Sequence, residues 1–196
     1  MKTGQVEADE QQLSGMLDFL RGAEELKNTL RSAHTSNGRQ ESTAEHTWRL
    51  CLMVMLFEKQ YPHIDTLKLL KICIIHDLGE AVCGDVPAID QVEGSDKGVE
   101  ERKGFQQLLS PLAAEQQHEF LALWDEYENV ASPEASLAKA FDKLETILQH
   151  TQGKNPPDFD YGFNLSYGKK YTDFDGMTAA LRRLVDRDTQ ELKDAR

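Results

Sequence analysis

The sequence predicts an all-α fold. Three observations carry the prediction: apolar residues return at three- and four-residue steps along most of the chain, helix-start signatures precede several of those runs, and no segment alternates apolar and polar residues as a strand would. At 196 residues the chain is long enough for a sizeable core, and a single domain over 1–196 is expected. A net charge of −12 argues against a nucleic-acid polymer as partner, because polyanion binding needs a basic face. No run approaches the ~18 apolar residues of a membrane span, and the polar amino terminus has no apolar signal core. The cysteines, Cys51, Cys73 and Cys83, lack paired metal-ligand spacing and read as reduced core thiols of a cytoplasmic protein with no membrane partner.

In chain order, Met1 to Glu10 reads as a frayed terminus. Leu13, Met16, Leu17, Leu20, Leu26 and Leu30 then mark a first amphipathic helix from about Gln11 to Leu30. Arg31 to Arg39 has turn chemistry and is expected to be a loop. Ser42-Thr43-Ala44-Glu45 has the form of a capping box, so a second helix should run from there to about Gln60, apolar all round and therefore central. Asp65 can cap a third, very apolar helix over Thr66 to Leu78. Glu80 to Gln91 reads as a loop after a short helical turn, and Gly94 to Gly98 as another connection. Helices follow over Gly98 to Leu109 and Ala113 to Tyr127, with Trp48 and Trp124 assigned to the core and Glu100 to Lys103 to solvent. Ser132-Pro133-Glu134 starts a helix that reaches about His150. Gly153 to about Thr172 reads as a long loop packed by Phe159, Tyr161 and Phe163, and Asp173 to about Lys193 as a last helix. On that helix Leu181, Leu184 and Val185 suit either core or a homodimer interface.

The stretch Ile72 to Asp85 stands out chemically. An apolar run ends in His76-Asp77, and a carboxylate taken out of water must be paired, hydrogen-bonded or bound to a cation. Adjacent His and Asp offer a nitrogen and an oxygen ligand. Two further candidates lie on other helices, His46 after Glu45 and Asp142 after Phe141. Of the other histidines, His34, His63, His118 and His150 show no supporting partners and read as structural or exposed.

The ordered set His46, His76-Asp77 and Asp142 resembles the H…HD…D motif of the HD-domain phosphohydrolases. Glu41 to His46, His76-Asp77-Leu78-Gly79-Glu80 with Gly84-Asp85, and Phe141-Asp142-Lys143-Leu144 look like the small branch that includes bacterial 5′-deoxynucleotidases. The likeness covers about Leu17 to His150, the expected metal-binding core, and implies an HD-domain helical bundle. It implies that His46, His76, Asp77 and Asp142 bind one divalent cation, with no counterpart here of the extra histidines that give some relatives a second. It also implies that Glu80 orients or deprotonates the attacking water, that Asp85 is a nearby site residue, and that Arg31 meets the substrate phosphate. Ser32 follows Arg31 where that branch has an aromatic residue. Two imidazoles and two carboxylates leave coordination positions for water and a phosphoryl oxygen, and admit Mn, Co, Fe, Ni or Zn. The implied activity is hydrolysis of a small phosphorylated metabolite, first a nucleoside 5′-monophosphate. A regulatory metal-binding module and an iron-dependent oxygenase on the same scaffold are the alternatives.

Overall fold

Local capping chemistry sets out the elements of the computed structural model, which describes residues 9–90 and 97–195. Asp9 accepts from the backbone N–H groups of Gln11 and Gln12 and starts α1 (Glu10–Ala23), which ends in a 3₁₀ turn (Glu24–Lys27) rather than continuing to Leu30. The expected frayed terminus lies outside the described residues up to position 8; Asp9 and Glu10 belong to this helix and its cap.

The stretch expected to be a loop is instead a hairpin. β1 (Leu30–His34) pairs antiparallel with β2 (Gln40–Ser42), Leu30 opposite Ser42 and His34 opposite Gln40. Gly38, at φ +89°, makes the turn, and the carbonyls of Thr35 and Arg39 close it. The strand was hidden because its alternation is inverted: Leu30 faces solvent, whereas Arg31 and Ala33 face inward.

The Ser42 capping box is present and starts α2 (Thr43–Phe57), extended by a 3₁₀ turn (Glu58–Gln60). Asp65 caps α3 (Thr66–Ile75), and a single turn, α4 (Glu80–Cys83), follows His76 and Asp77. A 3₁₀ turn (Ala88–Asp90) precedes α5 (Lys97–Leu109). Of the connection expected at Gly94 to Gly98, residues 94–96 lie outside the described residues, while Lys97 and Gly98 are helical. Next come α6 (Ala114–Glu128) and the 20-residue α7 (Pro133–Gln152), with Ser132 at its cap and Pro133 in its first turn. The expected long loop contains two single turns, α8 (Tyr161–Asn164) and α9 (Lys169–Thr172), before α10 (Gly176–Asp194), capped by Asp175.

Helix α7 is the axis, buried on nearly every side. Leu137, Phe141 and Leu144 meet Leu50 and Val54 of α2 and Leu69, Ile72 and Cys73 of α3. A second cluster joins Leu26, Ile75, Phe105, Leu109 and Trp124. Each such side chain contributes about 1.5–3 kcal/mol on burial, which fixes the angles at which α2, α3 and α7 present their polar residues to one another.

Two assignments to the core are corrected. Trp48 is 64% exposed, because the all-round apolar α2 turns His46, Leu50 and Val54 inward and Trp48, Leu52 and Met55 outward. Cys83 is exposed and Cys51 half-buried, so only Cys73 is a core thiol. On α10, Leu181 and Val185 pack on the core while Leu184 is exposed. No described helix is long and apolar enough to cross a membrane.

Candidate metal centre and cavity

The start of α2 and the end of α3 deliver two imidazoles to one place. His46 sits in the first turn of α2, which Ser42 and Glu45 cap and Arg39 braces by a bidentate bond to Glu45. His76 ends α3, its carbonyl accepting from Trp124 Nε1 at 3.0 Å. The two rings lie 5.7 Å apart. In both, Nδ1 is engaged: His46 Nδ1 with Glu145 Oε2, His76 Nδ1 with the Cys73 carbonyl at 2.8 Å. Both Nε2 atoms are buried without a hydrogen-bond partner. Each faces a carboxylate oxygen instead of a donor, an arrangement that suits a cation set between nitrogen and oxygen ligands.

The carboxylates lie beside them. Asp77 Oδ2 is 3.0 Å from His76 Nε2 and 3.8 Å from His46 Nε2, and Asp142 Oδ1 is 3.2 Å from His46 Nε2. Ligands bound at about 2.1 Å stand ~3.0 Å apart at right angles and ~4.2 Å apart when opposite. The observed spacings fall in that interval: His46, His76 and Asp77 present ligand atoms close enough together for one divalent cation, and Asp142 Oδ1 stands against His46 beside them. The other oxygen of Asp142 is turned away, accepting from Tyr127 Oη at 2.7 Å and Lys143 Nζ at 2.8 Å. Burial alone would raise the Asp142 and Asp77 pKa values; Lys143 and His46 on the first, and His76 on the second, outweigh it and hold both carboxyls ionised.

Glu80 lies behind this cluster on α4, accepting from Thr43 Oγ1 at 3.1 Å. Burial, then the charges of Asp77 and Asp85, push its carboxyl up to about 9. Gly79 lets α4 approach α5 closely; a Cβ there would come within 2.6 Å of the Glu101 carbonyl oxygen. Asp85, its pKa raised chiefly by burial, lines the same cavity as His76, Asp77, Glu80 and Asp142. Arg31 reaches in from β1, donating to Thr146 Oγ1 at 3.0 Å and standing 3.6 Å from both Glu41 and Asp77. Burial opposes its charge, but Asp77, Glu145 and Asp142 more than offset that and push its pKa up. Six of the seven residues singled out in the sequence therefore line one cavity of about 880 Å³, and His46 is buried against Asp142 at its wall.

Other residues of the site went unread. Glu145 binds His46 through one oxygen and Arg49 Nε through the other at 2.6 Å. The i, i+3 spacing of Asp142 and Glu145 on one helix, and of His46 and Arg49 on another, was the available signal. Within Glu100 to Lys103, expected to be solvated, Glu101 pairs with Lys97 at 3.0 Å and both line the cavity, while Arg102 is taken by Asp125. His150, read as lacking partners, is buried in the cavity wall against Asn164.

A helical fold that gathers H…HD…D from three helices into one pocket defines the HD-domain phosphohydrolases. The chain belongs to this family: residues 23–182 match its HD domain. Within it the chain is similar to the 5′-deoxynucleotidases. It is 31% identical over 153 residues to 5′-deoxynucleotidase HDDC2 of Dictyostelium discoideum, covering 74% of this chain and 80% of that one. The human 5′-deoxynucleotidase HDDC2 is 29% identical, over 70% of this chain and 67% of its own length. Among solved structures, a predicted metal-dependent phosphohydrolase from Magnetospirillum magnetotacticum superposes with a TM-score of 0.79 at 26% identity, covering 92% of this chain and 94% of that one.

Proposed function

We propose that this chain hydrolyses nucleoside 5′-monophosphates, deoxyribonucleotides among them, using one divalent cation held by His46, His76, Asp77 and Asp142. The observation that carries the reading is the pair of orphaned Nε2 atoms facing two carboxylates in a cavity that also holds Glu80 and Arg31. The similarity to 5′-deoxynucleotidases supports the substrate class. Bound there, a divalent cation supplies Lewis acidity to a phosphoryl oxygen and lowers the pKa of a coordinated water.

The protein's residues do the rest. Glu145 and the Cys73 carbonyl fix each imidazole with its Nε2 lone pair forward. Arg31, fully charged, faces the phosphate and offsets its negative charge in an otherwise acidic site. Glu80, whose carboxyl is held up chiefly by burial and then by the charges of Asp77 and Asp85, would ionise once a cation offset those charges and would accept the proton of the attacking water. The water oxygen bonds to phosphorus, the bond from phosphorus to the ester oxygen breaks, and the leaving 5′-oxygen takes a proton from solvent while Glu80 returns the one it accepted. Asp85 borders the same space and adds to the burial and the Asp77 charge that raise the Glu80 pKa.

The second acidic group, Glu41, His46 and Glu145, is not a second cation site in this reading, because His46 Nδ1 and Glu145 already bind each other. Nothing among the described residues favours the oxygenase or the regulatory module. The test is phosphate release from a panel of nucleoside monophosphates and sugar phosphates by protein loaded with manganese or cobalt. Glu80→Gln should abolish turnover while metal content stays the same; metal-loaded protein inert on the whole panel would refute the substrate class.

A further inference from the structure

Helix α7 carries a second polar group along the cavity, two turns beyond the Asp142 carboxylate. Asp142, Thr146 and His150 follow at four-residue steps and share one face, and at ~1.5 Å per residue His150 lies about 12 Å along the axis from Asp142. All three line the cavity, and the middle one, Thr146, is the residue that accepts from Arg31. A substrate phosphate held at Arg31 and the metal ligands therefore directs its organic part along α7 toward His150.

What waits there is chemically specific. His150 Nδ1 is 2.9 Å from Asn164 Oδ1, and the Phe159 ring meets the imidazole edge-to-face at 4.9 Å. Burial pushes the His150 pKa down to about 4, so the ring is neutral. Its Nδ1–H donates to Asn164, and Nε2 carries a lone pair. Asn164 is fully buried, lines the same cavity, and has an Nδ2 donor with no partner. Its backbone is pinned, since its carbonyl accepts from Arg182 Nη2 at 2.7 Å. The stacked pair Phe163 and Tyr167 extends the same wall. An acceptor beside an unpaired donor, flanked by aromatic rings, matches the hydrogen-bonding edge and the flat faces of a nucleobase. A sugar phosphate has hydroxyls that can hydrogen-bond but no flat face to set against the rings.

We propose that His150, Asn164 and Phe159 form a nucleobase-recognition subsite that selects nucleotides over other phosphomonoesters. The proposal deepens the hydrolase reading and rests on it for the placement of the phosphate. Thymidine 5′-monophosphate and deoxyadenosine 5′-monophosphate are compared with 2-deoxyribose 5-phosphate, which keeps the phosphate and sugar but lacks the base. Two readouts are taken on each: kcat/KM of the manganese-loaded protein, and affinity by calorimetry.

In the native protein at least one nucleotide should exceed the abasic probe by tenfold or more in both readouts. His150→Ala, Asn164→Ala and Phe159→Leu should each shrink that ratio at least fivefold. A ratio near one in the native protein, or one that all three variants leave intact, overturns the subsite. Absence of turnover on every probe, with the nucleotide still bound more tightly than the abasic probe and the difference lost in the variants, would refute the hydrolase reading and leave the subsite standing. A variant that fails to fold is recognised by its lost thermal transition, and the other two then decide.

Discussion

Glu145→Gln isolates the part of the site that holds His46 without touching a proposed ligand. Glu145 is fully buried and spans two partners, accepting from His46 Nδ1 and, at 2.6 Å, from Arg49 Nε. The carboxylate fixes the imidazole so that Nε2 keeps its lone pair toward Asp142 and Asp77, and its negative charge makes that nitrogen a better donor to a cation. An amide of the same shape keeps the volume, loses the charge, and sets an NH₂ group against one of two donors. Removing such an outer partner typically costs 10–100-fold in metal affinity, about 1.4–2.8 kcal/mol. Competition with a fluorescent chelator should therefore show Mn²⁺ binding weakened by about that factor, with kcat at saturating metal less affected than affinity. Unchanged affinity in a folded Glu145→Gln protein would refute the argument that Glu145 governs the His46 nitrogen.

Two further outcomes follow from packing and linkage. Gly79→Ala should destabilise the protein by about 1–3 kcal/mol in urea unfolding and reduce turnover, because the new methyl meets the Glu101 carbonyl oxygen at 2.6 Å and can be relieved only by shifting α4 and with it Glu80; unchanged stability and rate would contradict this. His150 is buried neutral, its pKa lowered from 6.5 to about 4, so below pH 6.5 the unfolded chain binds the extra proton. Its contribution is complete above pH 6.5 and is lost as pH falls toward 4, by about 3 kcal/mol in all. His150→Gln should accordingly show a shallower fall of stability between pH 6.5 and 4 than the native protein; parallel profiles would count against a neutral buried ring.

The helices were legible where their signals are local. Ser42, Asp65 and Ser132 each cap a helix within a residue or two of the position their side chains indicate. The hairpin was not, because β1 turns a leucine outward and an arginine inward to serve the cavity, reversing the alternation that would mark a half-buried strand. Trp48 shows the same limit on α2: a helix apolar on all sides does not announce which side the core takes. His46, His76, Asp77 and Asp142 could be named because polar residues inside apolar runs demand partners. Glu145 left only the trace of its i, i+3 spacing from Asp142, and Asn164 and His150 left none, since their meaning depends on α7 meeting the turns after Gly153, which no short-range pattern encodes.

Diffraction from a crystal soaked in cobalt or manganese, collected at the metal's absorption edge, bears most directly on the centre itself. A single anomalous peak per chain, bonded at about 2.0–2.3 Å to both imidazole Nε2 atoms and to the carboxylates of Asp77 and Asp142, is the expected result. A peak bonded elsewhere, or an imidazole pair left unligated at full metal occupancy, would contradict it.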